Sequence, residues 1–414
     1  MNRNTFLKIS GGILASLSSL NLLANKKNNN ENNAEFRFEI APYIISLTDT
    51  EGFIVFATNK PSVAEVELIF ENGTKKKFFA SHNTAGIKCS GTLHAIKLFG
   101  LKAGETIAYT ISATEIKKFW ARLDKIEGRF ELGRKITVAG DNGKPLKFKV
   151  PSASEKTKVA FLTDIHHRVK LMRQILSQMG DSDMLILNGD MANWLDSRGN
   201  IFSTFLSDAS DFASGQKPIY YARGNHECRG KLAEEFSQYV PFPNGKTYCG
   251  FRKGPAYFLI LDSCEMWADT HRSNGGFIDL ENWQKDEALW LKEEIKKSDF
   301  INAKFRIVFQ HIPIYTDDKL MHNSTGSRMN NYNTFRKKLF YDDILKNAKI
   351  DLMVNGHNHK YLWAPVIKGL NFPVFICSNQ EGAYFTIDNE NINIKIYNYK
   401  GGISRPEINI KAKV

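Results

Sequence analysis

From residue 157 onward the chain alternates short apolar runs with longer segments of helical spacing, and this alternation limits the fold more than any other feature. The runs are KVAFLTD (158–164), DMLILNGD (183–190), PIYYARGNHE (218–227), AYFLILDS (256–263), FRIVFQH (305–311) and DLMVNGH (351–357). Strands that are apolar through their middles need cover on both faces. Stacked βα units with buried sheets supply it. Helical spacing predicts helices over 167–180, 200–215, 286–297 and 335–348. The strand-rich tail, 372–399, completes a sheet. The expected fold class is α/β (or α+β), with two β-sheets flanked by helices.

Residues 36–150 have a different grammar: short strands and no long helix. GFIVFATN, AEVELIF, KKKFF, ETIAYTIS and KITVAGDNGKPLKFKV read as strands, and Asn72-Gly73 marks a hairpin. Period two places Ile107, Tyr109 and Ile111 on one face. This region is expected to be an all-β sandwich. PSASEK, 151–156, reads as the boundary, with the second domain over 157–414.

The polar residues gather where the strands end. Ligands of an open α/β sheet lie beyond the carboxyl ends of its strands. Here those ends carry Asp164 and His166, Asp190, Asn225 and His226, His311, and His357 with His359. Two aspartates, one asparagine and five histidines would thus meet at one edge. Carboxylates and neutral imidazoles withdrawn from water need a partner charge, and a divalent cation supplies it. Eight side chains exceed what one ion takes. Two ions sharing one aspartate would use seven and leave one histidine free. His82, His94, His271 and His322 lack this setting.

Formal net charge is +12, but the basic residues are spread along the chain with no long run. That distribution favours a solvated surface over a nucleic-acid partner. The five cysteines include no CxxC pair, and their odd number excludes a fully paired framework; Cys228 with Cys249 is the one bridge considered. Residues 1–24 have a charged start, an uncharged apolar middle and a small residue at Ala24, the pattern of a signal peptide. The expected location is exported, periplasmic or secreted, with 25–35 a polar linker and no stable membrane span after cleavage.

DIH, GD, GNHE, a later lone histidine and GHNH, in that order, resemble the signature of the calcineurin-like metallophosphoesterases, from Lys158 to about Tyr399. LHAIKLFGLKAGETIAYTI is similar to the fibronectin-III-like domain that precedes the purple acid phosphatases, and LDSCEMWADT with ALWLKEEI resembles the same branch. The resemblance implies an αββα metallophosphoesterase fold and a dinuclear-metal hydrolase of phosphate esters, monoester or diester, in which hydroxide held by the ions attacks phosphorus. It implies that Asp164, His166 and His359 hold one divalent ion (manganese, zinc or iron), that Asn225, His311 and His357 hold the other, and that Asp190 bridges them. His226 would face the substrate. The purple enzymes have glycine in place of His166 and tyrosine in place of Asn193, so the generic ligand set is expected, without a purple colour. Arg223, Arg229 and Asn193 are candidate substrate contacts, and Trp194 is expected to pack. The implied partner is a phosphorylated small molecule or ester. A nuclease of the same superfamily and a catalytically silent scaffold are the rival readings.

Overall fold

The computed structural model describes residues 35–80, 86–123, 126–140, 143–154, 156–314, 334–365, 367 and 369–413. The signal-peptide segment, nearly all of the linker, His82 and His322 lie outside them.

Eight strands come first: β1 (Phe38–Ile45), β2 (Glu51–Thr58), β3 (Ser62–Ile69), β4 (Lys75–Phe79), β5 (Leu93–Phe99), β6 (Thr106–Leu123), β7 (Ile126–Val138) and β8 (Leu146–Lys149). β4, β3, β6 and β7 form one sheet, with β8 beside β6; β1, β2 and β5 form the facing layer. The β3–β4 hairpin turns at Gly73 (φ +80°), where Asn72 Oδ1 accepts from Thr74 N–H at 2.9 Å. Ile107, Tyr109 and Ile111 all point into the core between the layers, against Ile44, Ile54 and Phe56.

The second half contains β9 (Thr157–Leu162), α1 (Val169–Leu176), β10 (Met184–Leu187), α2 (Arg198–Ile201), α3 (Ser207–Ala213), β11 (Pro218–Tyr221), α4 (Phe236–Tyr239), β12 (Cys249–Lys253) and β13 (Ala256–Ile260). It continues with α5 (Leu280–Glu294), α6 (Ser298–Ile301), β14 (Phe305–Phe309), β15 (Leu352–Asn355), β16 (Leu362–Ala364), β17 (Val374–Ile376), β18 (Glu381–Ile387), β19 (Asn391–Asn398) and β20 (Ile408–Lys411). A six-stranded sheet runs β12-β13-β14-β15-β17-β16, its four central strands parallel. A nine-stranded sheet runs β20-β19-β18-β9-β10-β11-β1-β2-β5. Aromatic side chains fill the space between the two. Tyr220 stacks on Phe251 at 4.0 Å, and Phe309 meets Phe161 at 5.8 Å and Phe385 at 5.9 Å. Met172, Ile175, Ala209 and Ala213 of α1 and α3 cover the larger sheet, and Ala288 and Leu291 of α5 cover the smaller. This is the helix-flanked two-sheet arrangement expected.

The nine-stranded sheet crosses the 151–156 segment. β1 pairs in parallel with β11, Ile44 opposite Pro218 and Ile45 opposite Ile219. Residues on β1 and β2 alternate between two cores: Ile44, Ile54 and Phe56 enter the sandwich, while Tyr43, Ile45, Phe53 and Val55 enter the core of the second half. Strands with both faces buried read as unbroken apolar runs, and GFIVFA is one. Tyr220 Oη donates to Leu47 O at 2.6 Å and Tyr43 Oη to Tyr239 O at 2.7 Å across the same junction.

One helix departs from its expected form, and an open question about the cysteines closes. The expected helix over 335–348 is helical from 334 to 342, widening at Lys337–Asp342, breaks at 343–344 and resumes as a tight turn, Leu345–Asn347. The wide turn lets the consecutive residues Phe340 and Tyr341 both be buried. The five cysteines are all free, so Cys228 and Cys249 form no bridge. No helix among the described residues is long and apolar enough to cross a membrane.

Candidate metal centre

Asp164 and His166 follow β9, Asp190 follows β10, Asn225 and His226 follow β11, His311 follows β14, and His357 and His359 follow β15. The stacking of the two sheets brings these tips together. The ligand atoms of Asp164, His166 and His359 lie within 4.8 Å of one another, as do those of His166, Asp190 and His226, and those of Asp190, His311 and His357. Asn225 joins through its Oδ1, 3.0 Å from His357 Nδ1. All eight tip residues thus share one cluster.

The backbone bends sharply to do this. Asp164, His166, His167, Asp190, His357 and His359 all have φ between +47° and +69°. The left-handed region costs a non-glycine residue roughly 1–2 kcal/mol. Such strain concentrates where function over-determines the conformation. Two glycines permit the close approach. A Cβ on Gly224 would strike Asp190 and His311, and one on Gly356 would strike Thr163 and Asp164.

Each carboxylate is held by hydrogen bonds and turns one oxygen toward the imidazoles, although in Asp164 that oxygen shares the His357 N–H at 3.1 Å. Asp164 Oδ2 accepts from Thr163 Oγ1 (2.8 Å) and His357 N–H (2.9 Å), while Oδ1 lies 3.3 Å from His359 Nε2. Asp190 Oδ1 accepts from His226 N–H (3.0 Å), while Oδ2 lies 3.0 Å from His311 Nε2. The outer hydrogen bonds set the tautomers. His311 Nδ1 donates to Asn188 O (2.7 Å), His166 Nδ1 to Asn193 Oδ1 (2.9 Å) and His226 Nδ1 to Asn193 O (2.7 Å). Each of these rings therefore turns Nε2 inward.

A cation fits this donor set. Both carboxylates are buried, and His311 Nε2, also buried, faces Asp190 Oδ2 at 3.0 Å. His166 Nε2 and His359 Nε2 face each other at 3.0 Å, as two lone pairs do around an ion. In the metal-free chain a proton replaces that charge. Burial pulls His311 down, but Asp190 and Asp164 outweigh it and push the imidazole up to about 9. Burial pushes both aspartates up, and the charge on His311 outweighs it and holds them below the usual carboxylate range. Burial and then the His311 charge pull His357 down to about 3.

A pH dependence follows. The folded His311 titrates near about 9 against an unfolded value of about 6.5, so its stabilisation is complete below about pH 6.5 and is lost as pH rises through about 9. A ligating imidazole must be neutral, so metal displaces that proton. The melting-temperature gap between manganese-loaded and EDTA-treated protein is therefore expected to widen from about pH 6.5 to about pH 9. A gap constant across that window would contradict the ion-for-proton exchange.

The three candidate substrate contacts part company. Arg223 is committed to the buried Asp262, with Nη2 at 2.7 Å. Arg229 is gripped by Glu265 through Nε (2.8 Å) and Nη2 (2.7 Å), leaving Nη1 3.3 Å from His226 Nε2. Asn193 holds His166 and His226 and gives its own N–H to His167 Nε2 at 2.9 Å. Trp194, expected to pack, is 47% exposed, with its ring edge-on to His167.

Glu227 was missed. It is buried and accepts from Asp190 N–H, Met191 N–H, Gly224 N–H and Tyr221 Oη, all within 3.0 Å. Burial and then the Asp190 charge push its carboxyl up, against the pull of these donors. It ties the loop carrying Asp190 to the loop carrying Asn225. Its only sequence signal is its place directly after the Asn225-His226 pair.

Comparison with known proteins gives the same picture. Residues 157–361 match the calcineurin-like phosphoesterase family. Purple acid phosphatase 21 of Arabidopsis thaliana is 23% identical over 225 residues, 54% of this chain and 48% of that protein. A phosphoenolpyruvate phosphatase of Allium cepa is 26% identical over 152 residues, 35% of this chain and 28% of that one. The chain thus spans about half of the first relative and less than a third of the second. A purple acid phosphatase from yellow lupin (Lupinus luteus) seeds superposes with a TM-score of 0.57 at 14% identity, over 89% of this chain and 74% of that one, and so shares the fold. The strand-tip cluster and the family match together make residues 157–361 a calcineurin-like phosphoesterase domain, in a chain similar to the purple acid phosphatases.

Proposed function

We propose that the protein hydrolyses phosphate esters with the help of two divalent ions. One observation carries this reading: two buried carboxylates, each held by hydrogen bonds with one oxygen aimed into a ring of inward-turned imidazoles. Asp164, His166 and His359 would hold one ion, and Asn225, His311 and His357 the other, with Asp190 shared. When bound, the ions supply positive charge for the phosphoryl oxygens and lower the pKa of water toward about 7.

The chain's own groups do the rest. Asn193 fixes the rings of His166 and His226. To act as an acid His226 would keep its Nδ1 proton directed at the Asn193 carbonyl and carry a second on Nε2 for the leaving oxygen, with Nε2 released from the Arg229 Nη1–H that it faces here. Glu265 locks the Arg229 fork so that Nη1 stands beside that nitrogen. A fixed guanidinium there suits the charge on a phosphoryl oxygen. An exported location and a fibronectin-III-like character for 36–150 complete the reading.

Hydrolysis of p-nitrophenyl phosphate, its bis ester and single-stranded DNA, with added manganese or zinc, tests it. Turnover of either nitrophenyl ester, abolished by EDTA and restored by metal, is the expected result. Turnover of DNA alone would favour the nuclease reading, and none at all the silent scaffold.

A further inference from the structure

The basic residues are spread along the sequence, but the fold gathers five of them. A cleft of about 630 Å³ opens at the amino-terminal ends of β14 and β15. Lys304, Arg306, Lys346, Lys349 and Lys413 line it, and Asp351 is the one carboxylate in its lining among the described residues. These cations come from three separate segments of chain, so no run of charge marks the place in the sequence. Arg306 precedes His311 by five residues. At about 3.3 Å per residue, that puts the cleft about 17 Å from the metal centre, at the opposite end of the same strands.

Pairing within the cleft leaves positive charge over. The buried Asp351 serves two of the cations. Its Oδ2 accepts from Arg306 N–H at 2.9 Å and lies 3.8 Å from Arg306 Nη1, and its Oδ1 lies 3.4 Å from Lys413 Nζ. Lys304, Lys346 and Lys349 have no ion-pair partner among the described residues. Like charges gathered in one cleft repel, and a bound anion offsets that repulsion. The backbone adds a second sign. Lys349 has φ +53°, in the left-handed region that a Cβ disfavours. Glycine would close the tight turn Leu345–Asn347 with less strain, yet a lysine stands just beyond it. Asn371 Nδ2 pins this turn by donating to Lys346 O at 2.7 Å. Strain of this kind points to a use for the side chain it places.

We propose that this cleft binds a short oligophosphate, a compact anion with at least three negative charges, at a site separate from the metal centre. The ammonium groups of Lys304, Lys346 and Lys349 meet its oxygens, as lysine suits phosphate as a mobile point charge. The side-chain amides of Asn302, Asn347 and Asn371 add hydrogen-bond donors to the same walls. The volume lies within the range of small-molecule sites, about 300–1,000 Å³, and exceeds what one phosphate group fills. No residue of the cleft belongs to the metal centre, so the proposal stands or falls apart from the phosphoesterase reading.

The test is calorimetric titration of the full chain with sodium tripolyphosphate at physiological ionic strength, with EDTA present to prevent metal-bridged binding. Two double variants each remove two lysines. Lys346→Gln with Lys349→Asn strips the cleft, and asparagine keeps the left-handed turn. Lys102→Gln with Lys147→Gln removes the same charge from exposed positions of the sandwich. The unaltered chain and the sandwich variant are expected to bind one tripolyphosphate per chain with like affinity, and the cleft variant to bind it about tenfold more weakly. Lys304→Gln, which leaves the turn untouched, should weaken binding several-fold and keeps the test sound if the cleft double variant melts early. Orthophosphate should bind the unaltered chain at least about tenfold more weakly than tripolyphosphate. Equal weakening in the cleft and sandwich variants would reveal only general attraction to a basic chain and would overturn the site. Equal affinity for orthophosphate would overturn it too, since the three lysines would then not act together. So would the absence of any binding by the unaltered chain at about 1 mM ligand.

Discussion

Asp190→Asn strips the protein of bound metal and of turnover together. Asp190 Oδ2 lies 3.0 Å from His311 Nε2, 3.8 Å from His226 Nε2 and 3.9 Å from His166 Nε2. Asp164 Oδ1 is comparably placed, 3.3 Å from His359 Nε2, 3.8 Å from His311 Nε2 and 3.9 Å from His166 Nε2, but Asp190 is the one that also reaches His226. Asparagine keeps the shape and tolerates the +54° φ of this position, so the loop is preserved while the charge is lost. Alanine would add backbone strain of roughly 1–2 kcal/mol. Without a water of lowered pKa the rate should fall by several orders of magnitude. Elemental analysis per chain, beside p-nitrophenyl phosphate turnover, decides the matter. A variant that retained its full metal content would show that Asp190 is not the shared ligand.

His226→Ala separates chemistry from metal binding. The ring reaches Asp190 only at 3.8 Å, while its Nδ1 is tied to Asn193 O. Its removal should leave metal content unchanged and lower kcat by about 10²- to 10⁴-fold, the usual range for a proton-transferring group. The loss should grow with the basicity of the leaving group, because a poor leaving alcohol depends most on a donated proton. Alkyl phosphates should therefore suffer more than p-nitrophenyl phosphate. An equal loss across the series would move His226 from proton transfer to mere positioning.

The strand tips were legible in the sequence because each apolar run has a defined end, and a polar residue after it has few other places to lie. The helices over 167–180, 200–215 and 286–297 were legible in outline from their spacing, though α1 is shorter than its pattern and the second is broken into α2, a wide turn and α3. What escaped is non-local. Short strands such as β12 and β16 carry too few residues to show a period. Asn193 looked like a substrate contact because nothing in a one-dimensional string shows that His166 and His226 reach the same residue. The role of Glu227 depends on four donors drawn from two chain segments, 190–191 and 221–224. The left-handed backbone at Asp164, His166 and Asp190 runs against the local preference of those residues. Only the assembled site makes that conformation worthwhile.

The parallel pairing of β1 with β11 bears on how the reactive histidine is aimed. β11 ends at Tyr221, four residues before Asn225 and five before His226. Its neighbours are β10 on one side and β1 on the other. Without β1, the backbone amides and carbonyls of β11 would lie bare along that flank, an invitation to mispairing with other chains. The amino-terminal layer is thus a buttress for the loop of the other half that carries both Asn225 and His226, and swapping or trimming it would loosen the two together.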